Sequence, residues 1–541
     1  MTREAPVATL AENSECPRQT RNALLAMCFV ALLLRMCVGA FLYKEFVDPS
    51  RGYWNFGWET GRVARSIAAG HGFGSPLFGD TGPTAIMTPL YPYLLAGVFK
   101  LLGIYSTASA FAILFLNSLF SAAICIPVFL MAKEFFGRRI ATWAGCAWAV
   151  FPYAIYFSAG RIWVTSLATL LLTLSLLATL RMTSRSRLPA WVLYGFLWGL
   201  NGLANPANLA VLPLLGVWLM YRLRDQGWRW IWSGVLSAVV FVAVSTPWFV
   251  RNYRTFGRFM PFRDNFWYEL WAGNTGDTSD LVPDWARPSN DEHQMRQFRT
   301  MGEIPYFDSK KPLVQKFIAE HHGTFAWVSF KRIVFTWTGF WSFDHNYMAG
   351  EPFEVPNTVF CTAVTILMLM GLLFAFRKEK STGTFFAVVL FSIPLLYYIT
   401  HPDLEYRHVI DPEVVILATF AVAHFARRRK ECAVADRRLG SARKTWRGAR
   451  RARHGRVLLR RFSGKRHGQL TGEQLRRKLS GPLRCFVNDD VPARYVGDWN
   501  LLPNRTSRLL DTWSRVGSLP FIECRSTSHD SASMGQLLQC L

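Results

Sequence analysis

Long runs of apolar residues without a charged side chain recur along this chain, and they constrain its fold more than any other feature. The runs are about 17–25 residues long, which is the length of helix that crosses about 30 Å of hydrocarbon. Charged residues make up only 18% of the 541 residues, against about a quarter in soluble globular proteins. The sequence therefore predicts an all-α polytopic membrane protein rather than a series of soluble domains.

The apolar runs predict about ten transmembrane helices. A further apolar segment at 86–104 begins with Pro89, Tyr91, Pro92 and Tyr93, which suit the membrane interface better than mid-bilayer, so we expect it to lie along the outer surface. The predicted spans are about 23–43, 107–131, 140–157, 163–180, 189–204, 206–221, 230–248, 357–376, 382–400 and 409–426.

The short loops between these spans carry the orientation signal, because Lys and Arg near helix ends stay in the cytoplasm. With segment 86–104 outside, every basic cluster falls on one side of the membrane. We therefore expect a multi-pass protein of the plasma (inner) membrane with both termini cytoplasmic and an active site on the periplasmic face. Three segments then lie outside: a first outer segment at 44–106, a second at 249–355 and a third at 401–408.

The outer segments are rich in acidic, basic and aromatic residues, as expected of an enzyme whose substrates arrive in the outer leaflet. In the first of them, Glu59 to Ala69 predicts a short amphipathic helix that ends at Gly70 and carries Glu59, Arg62 and Arg65 on one face. The carboxylate could take a proton from an acceptor hydroxyl while the arginines hold a lipid phosphate. The alternative is a solvated interfacial helix whose arginines touch lipid headgroups.

Arg35 lies inside the first predicted span. It either extends to the outer interface along its own helix or faces the bundle as a site residue.

Four stretches together give the chain a resemblance to bacterial glycosyltransferase family 39, which is related to the protein O-mannosyltransferases and the aminoarabinose transferases of lipid A. The resemblance implies a GT-C-type bundle with juxtamembrane helices in the first outer loop. It also implies inverting transfer of a sugar from a polyprenyl-phosphate donor to an acceptor hydroxyl. The stretches are GWETGRVARSIAAGHGF (57–73), TPLYPYLLAGVFKLLG (88–103), PWFVRNYRTFGRF (247–259) and EYRHVIDP (405–412).

In the family, an acidic residue of the first outer loop is catalytic, and the resemblance makes Glu59 the best match, with Asp48 as the alternative. The sequence departs from the family pattern in two places. Trp58-Glu59 stands where related proteins often have an Asp-Glu pair. Related proteins also often carry an acid at the start of the fourth helix, where this chain has Trp163-Val164-Thr165.

The resemblance and the outer position of five basic residues make them candidates for binding the donor phosphate: Arg62, Arg65, Arg251, Arg407 and His408. The alternative is a structural set of interfacial anchors. Since the sequence contains neither GxGxxG nor a P-loop, we expect no nucleotide and no required cofactor, although a divalent metal is possible. The expected partners are a polyprenyl-phosphate-linked sugar, a protein, lipid or glycan acceptor, and membrane lipids; no nucleic acid is expected.

The C-terminal part of the chain differs from the rest. Of the net charge of +25, roughly +17 lies from Arg427 onward, and this part has no sustained helix or strand period. We expect a membrane-embedded domain at 1–426 and a basic, mostly disordered cytoplasmic tail at 427–541, either a lipid-binding extension or the product of a shifted reading frame. A transporter or flippase of lipid-linked glycans and a non-catalytic envelope scaffold remain the alternative functions.

Overall fold

The computed structural model describes residues 17–42, 56–183, 186–275, 284–341 and 354–431. Within these ranges the regular structure is helical, apart from one isolated antiparallel bridge between Gly74 and Pro83. The all-α prediction is therefore confirmed. Asp48 and residues 432–541, on which part of the predictions depends, lie outside the described residues.

Each of the ten predicted spans contains a helix. The membrane bundle consists of α1 (Pro17–Leu42), α4 (Thr107–Ala123), α5 (Cys125–Phe136), α6 (Arg138–Ala149), α7 (Pro152–Ala159), α8 (Thr165–Arg181), α9 (Leu188–Ala204), α10 (Leu212–Leu223), α11 (Arg229–Phe256), α16 (Glu354–Lys378), α17 (Lys380–Ser392), α18 (Leu395–Ile399) and α20 (411–431). Six stretches are long and apolar enough to cross a membrane by length and composition, and the bent pair α6–α7 would make a seventh. The protein is thus a multi-pass membrane protein.

The first outer segment forms two short helices, α2 (Glu59–Ala68) and α3 (Leu90–Leu102), which pack against each other. Helix α3 has 13 residues, so it is about 20 Å long and too short to cross the bilayer. Helix α2 ends at Ala68 with Ala69 as its C-cap residue, and Gly70 and Gly72 follow with φ of 87° and 81°, a backbone region that favours glycine. Both the juxtamembrane pair and the end of α2 at Gly70 are as predicted.

Arg35 is fully buried and faces the bundle. Its guanidinium donates to the carbonyl oxygens of Trp148 (3.2 Å) and Ala149 (2.8 Å), at the C-terminus of α6, and to Ser121 Oγ (2.9 Å). The chain bends by 43° between α6 and α7, where Pro152 cannot donate a backbone hydrogen bond. Arg35 therefore satisfies carbonyl groups freed by the bend, rather than extending to the interface.

The second outer segment forms α12 (Phe266–Gly273), α13 (Glu292–Met301), α14 (Glu303–Glu320) and α15 (His322–Thr338). The first three of these helices share a cluster of buried, mostly aromatic residues. It is tied to the first outer segment by the buried carboxylate of Glu303, which accepts from Thr84 Oγ1 and from the Ala85 amide at 2.5 Å. The third outer segment forms the short helix α19 (Leu404–His408).

Candidate active site

A cavity of about 390 Å³ lies where the three outer segments meet the ends of the membrane helices. Acidic, basic and aromatic side chains alternate on its walls. Its polar and aromatic lining includes Trp58, Glu59, Tyr91, Trp163, Thr165, Asn205, Arg263, Tyr268, Glu269, Arg287, Tyr397, His401, Asp403, Glu405 and Tyr406. These residues are far apart in the sequence, so the fold itself creates the site.

The backbone before α2 brings Glu59 to the cavity wall. Gly57 has φ of 86°, and a Cβ at this position would lie 2.3 Å from the carbonyl oxygen of Ile162, so only glycine allows this approach to the segment that precedes α8. Trp58 also has a positive φ, of 48°, which is a strained conformation for a bulky residue. Glu59 follows as the first residue of α2, where the helix dipole favours a negative charge.

A second close approach sets another part of the cavity wall. A Cβ on Gly273 would lie 1.9 Å from the carbonyl oxygen of Thr400, so the end of α12 packs directly on the loop before α19. This contact places Glu269 of α12 beside His401, with 3.8 Å between Glu269 Oε2 and His401 Nδ1. The other ring nitrogen of His401 hydrogen-bonds to the Tyr406 hydroxyl at 2.9 Å.

Glu59 and Glu269 form the first of two charged clusters on the cavity wall, together with Arg287 and His401. Burial raises the pKa of Glu59, and the nearby Glu269 adds to this effect, while Arg287 and Arg62 oppose it. Burial lowers the pKa of His401, which favours the neutral ring. A carboxylate of raised pKa beside a guanidinium suits a general base, because a base is most effective when its pKa approaches the working pH.

Glu405 is the centre of the second cluster. Thr165 Oγ1 donates a hydrogen bond to Glu405 Oε1, at the position where the sequence lacks the acid that related proteins often carry. Burial, reinforced by Asp403, raises the pKa of Glu405 to about 8, although Arg161 and Arg263 pull it down. Arg263 is anchored by its Nε, which donates to the Ile86 carbonyl at 2.6 Å.

Of the predicted site residues in the first outer segment, Glu59 lines the cavity. Arg62 is buried beside it, with its guanidinium carbon 3.7 Å from the centroid of the Phe78 ring and 5.0 Å from that of Trp58. Arg65 is partly exposed on the same helix and is not among the cavity residues.

The other predicted phosphate ligands also lie outside the cavity lining. Arg251 donates to the carbonyl oxygens of Thr84 (2.6 Å) and Phe73 (2.7 Å), so it fastens the first outer segment to α11. Arg407 and His408 are buried and share the carboxylate of Asp411 at 3.2 and 2.9 Å. Their phosphate-binding role stays a prediction, but each has a structural role that the sequence did not reveal.

Three cavity residues were not singled out by sequence reasoning: Arg263, Glu269 and Arg287. They lie in the second outer segment, which contains many charged residues without a motif, so no local pattern distinguishes them. His401, Asp403 and Glu405 were noticed as a charged group in the third outer segment, but the sequence assigned them no role. In the described part of the chain, no group of three or more His, Cys, Asp or Glu side chains is arranged to hold a metal ion.

Residues 86–249 match the family model for dolichyl-phosphate-mannose-protein mannosyltransferase. The match covers about a third of the chain and confirms the predicted resemblance to this group of membrane glycosyltransferases. A search of the curated protein sequences gives no match.

Two of the solved structures to which the chain is similar show low sequence identity. One is the archaeal oligosaccharyltransferase AglB from Archaeoglobus fulgidus in complex with an inhibitory peptide and a dolichol-phosphate. Its sequence identity to this chain is 14% and the TM-score is 0.45, and the alignment covers 76% of this chain and 51% of that one. The other is ArnT from Cupriavidus metallidurans bound to undecaprenyl phosphate, with 14% identity, a TM-score of 0.35, and coverage of 74% and 78%. The chain thus spans about half the length of the archaeal enzyme.

Proposed function

We propose that this glycosyltransferase moves a sugar from a polyprenyl-phosphate donor to an acceptor hydroxyl, with Glu59 as the base and with inversion at the sugar carbon. The observation that carries the proposal is the position of Glu59 on the wall of a polar cavity, beside Arg287 and Glu269. The family match adds the donor class, since the family is described by a dolichyl-phosphate-linked sugar.

In this mechanism the acceptor hydroxyl gives its proton to Glu59, and its oxygen attacks the sugar carbon that is bonded to the phosphate. The bond from that carbon to the phosphate oxygen breaks, and its electron pair leaves with the polyprenyl phosphate. A single displacement of this kind inverts the sugar carbon. Arg287 favours the ionised form of Glu59 and so opposes the rise of its pKa by burial.

Arg263 is the guanidinium that we assign to the donor phosphate. It lies on the cavity wall, and its anchor to Ile86 uses only one of the five N–H donors of an arginine. A guanidinium held where negative charge grows on the leaving phosphate stabilises the transition state more than the ground state. Arg62 and Arg65, predicted for this role, lie on α2 behind Glu59 and would have to act at longer range.

The cavity belongs to the non-cytoplasmic face in this proposal. In α8 the cavity residue Thr165 is at one end and Arg181 is at the other, and in the span 380–399 Tyr397 is near one end and Lys380 is at the other. The basic ends are the ones that stay in the cytoplasm. The arrangement therefore supports donor binding from the outer leaflet, where the donor is a lipid-linked sugar rather than a nucleotide sugar.

The test is the transfer of radiolabelled sugar from a panel of polyprenyl-phosphate sugars in membranes that contain the full chain. Glu59→Gln should lower the rate by about 10²–10⁴-fold, since it removes the general base. Glu320→Gln is the matched control, because this acid lies on α14 with an exposed side chain paired to Lys316. If Asp48→Asn abolishes transfer and Glu59→Gln does not, the base is misassigned; if the wild type consumes none of the donors, the proposed function itself fails.

A further inference from the structure

We propose that Glu405 is a second functional carboxyl of this site, which in its protonated form donates a hydrogen bond to the phosphate of the lipid-linked donor. This inference rests on the proposed function and extends it, because it assigns a second carboxyl of the cavity to the donor. Because an ionised carboxylate cannot donate, the site loses this hydrogen-bond donor when Glu405 is deprotonated at high pH.

The position of Glu405 is fixed by contacts on both sides. Asp403 caps the start of α19 by accepting the Glu405 amide at 2.7 Å, which holds the backbone. Thr165, at the start of α8, donates to Glu405 Oε1 and holds the side chain at the cavity wall. One carboxyl oxygen is thus occupied as an acceptor, and the other is the one that a protonated carboxyl can turn into a donor.

The charged groups around Glu405 come from several elements. Asp403 on its own turn opposes ionisation, whereas Arg161 before α8 and Arg263 before α12 favour it. Three tyrosines of neighbouring elements also interact electrostatically with this carboxyl: Tyr91 of α3, Tyr397 of α18 and Tyr406 of α19. The net effect is a pKa of about 8, which favours the protonated carboxyl at neutral pH.

The chemistry of the donor explains why a neutral carboxyl is useful at this wall. A sugar linked to a polyprenyl phosphate presents a phosphodiester with one negative charge, which would be repelled by an ionised carboxylate. A protonated carboxyl instead donates a hydrogen bond to it, and that bond strengthens as the phosphate gains a second negative charge on leaving. Arg263, in the same part of the wall, supplies the positive charge that the neutral carboxyl lacks.

The arrangement separates two carboxyls with opposite tasks. Glu59 must be ionised to accept a proton and is supported by Arg287, whereas Glu405 must be protonated to donate and is supported by Asp403. Burial raises the pKa of both carboxyls, and the two differ in the neighbours that oppose or reinforce this rise. The expected activity therefore falls at low pH, through protonation of Glu59, and at high pH, through ionisation of Glu405.

The experiment compares the wild type with Glu405→Gln, Glu405→Ala and Asp403→Asn, and measures kcat and KM for the lipid-linked donor between pH 6 and 10. The alanine variant should lose about 10–100-fold at pH 7, mainly through KM for the donor. The glutamine variant, which keeps a neutral donor, should lose less than tenfold and should not show the alkaline fall. Asp403→Asn retains a capping side chain but removes the negative neighbour, so it should move the alkaline fall to lower pH.

Three results would overturn the inference: equal loss of activity in the glutamine and alanine variants, an alkaline fall that persists unchanged in Glu405→Gln, or an alkaline fall that Asp403→Asn does not move. A purely structural Glu405 would lower thermal stability in detergent without changing the pH profile. If the wild type transfers no sugar, the proposed function has failed, and undecaprenyl phosphate binding then tests Glu405 separately. Binding by the wild type should weaken between pH 6.5 and 9.5 and binding by Glu405→Gln should not; the same pH dependence in both would refute the assignment.

Discussion

Gly273 provides a test of whether the contact between α12 and the third outer segment controls the chemistry. An added Cβ would lie 1.9 Å from the Thr400 carbonyl oxygen and 3.4 Å from Arg332 Nη2. An ordinary van der Waals contact begins at about 3.4 Å, so Gly273→Ala requires α12 and the Thr400 loop to separate by about 1.5 Å. Both partners are backbone, so rotation of a side chain cannot relieve the clash.

The displacement should appear as a loss of rate, because Glu269 lies one helical turn before Gly273 on the same helix. The 3.8 Å separation between Glu269 and His401 would widen to about 5 Å, and Glu269 would also shift relative to Glu59. A misplacement of about 1 Å in an active site can cost about 10²-fold. We therefore expect Gly273→Ala to lower kcat about 100-fold although every polar side chain of the cavity is retained.

The assay is sugar transfer in membranes, accompanied by thermal unfolding in detergent to confirm that the variant is folded. Gly323→Ala is the matched control, since Gly323 lies in α15 of the same outer segment and an added Cβ there would have no neighbour within 4 Å. A Gly273→Ala variant that transfers sugar as fast as Gly323→Ala would refute the claim that this contact positions the site. A variant that loses rate only in proportion to lost folded protein would refute it as well.

Three further outcomes are expected. Arg287→Gln removes the positive charge that lowers the pKa of Glu59, so the acid side of the pH–rate profile should move to higher pH; an unmoved profile would mean that Glu59 is not the titrating base. Arg35→Met leaves the buried Ala149 carbonyl without its side-chain donor, whereas the Trp148 carbonyl still accepts from the Phe151 amide. The variant should lower the free energy of unfolding by about 1–3 kcal/mol, measured in detergent against the exposed Arg21→Met, and a loss no larger than that of Arg21→Met would contradict this role. Burial raises the pKa of Glu303 to about 7, so the folded protein binds this proton more tightly than the unfolded chain. Up to about 3 kcal/mol of stability is therefore present below about pH 4.5 and is lost as the pH rises through 7. Glu303→Gln should flatten the dependence of stability on pH between pH 5 and 8, and a slope equal to that of the wild type would disprove this role.

The helices of the membrane bundle could be predicted from the sequence because the bilayer imposes a length and a polarity on each of them. The apolar runs gave a helix at every predicted position, and the basic clusters indicated how successive runs are connected. Segment 86–104 shows how far this reasoning extends. Its composition alone allowed a span, but counting basic clusters excluded one, and α3 is indeed too short to cross the membrane.

The roles of buried arginines could not be predicted in the same way. Arg35, Arg251 and Arg407 each looked like a site residue or an interfacial anchor from the sequence. In the structure each donates to protein oxygens: carbonyl groups at a helix bend, carbonyl groups of the first outer segment, and the carboxylate of Asp411. Sequence position identifies an arginine near a membrane end, but only the bend or loop beside it decides which oxygens need a donor.

The cavity itself depends on contacts between segments that share no local pattern. Glu59 was found because a short amphipathic helix and a family resemblance pointed to one residue, whereas Glu269 and Arg287 lie in a segment where many charged residues would have served equally well. What selects them is the packing of two glycines, Gly57 and Gly273, against carbonyl groups more than 100 residues away in sequence. These contacts bring the cluster around Glu59 and the cluster around Glu405 into one cavity, where each carboxyl has its own charged neighbours. It follows that substitutions at Glu269 or Arg287 should change the acid side of the pH–rate profile. Substitutions at Asp403 or Glu405 should change its alkaline side. Only a displacement of the backbone that positions these residues should affect both sides.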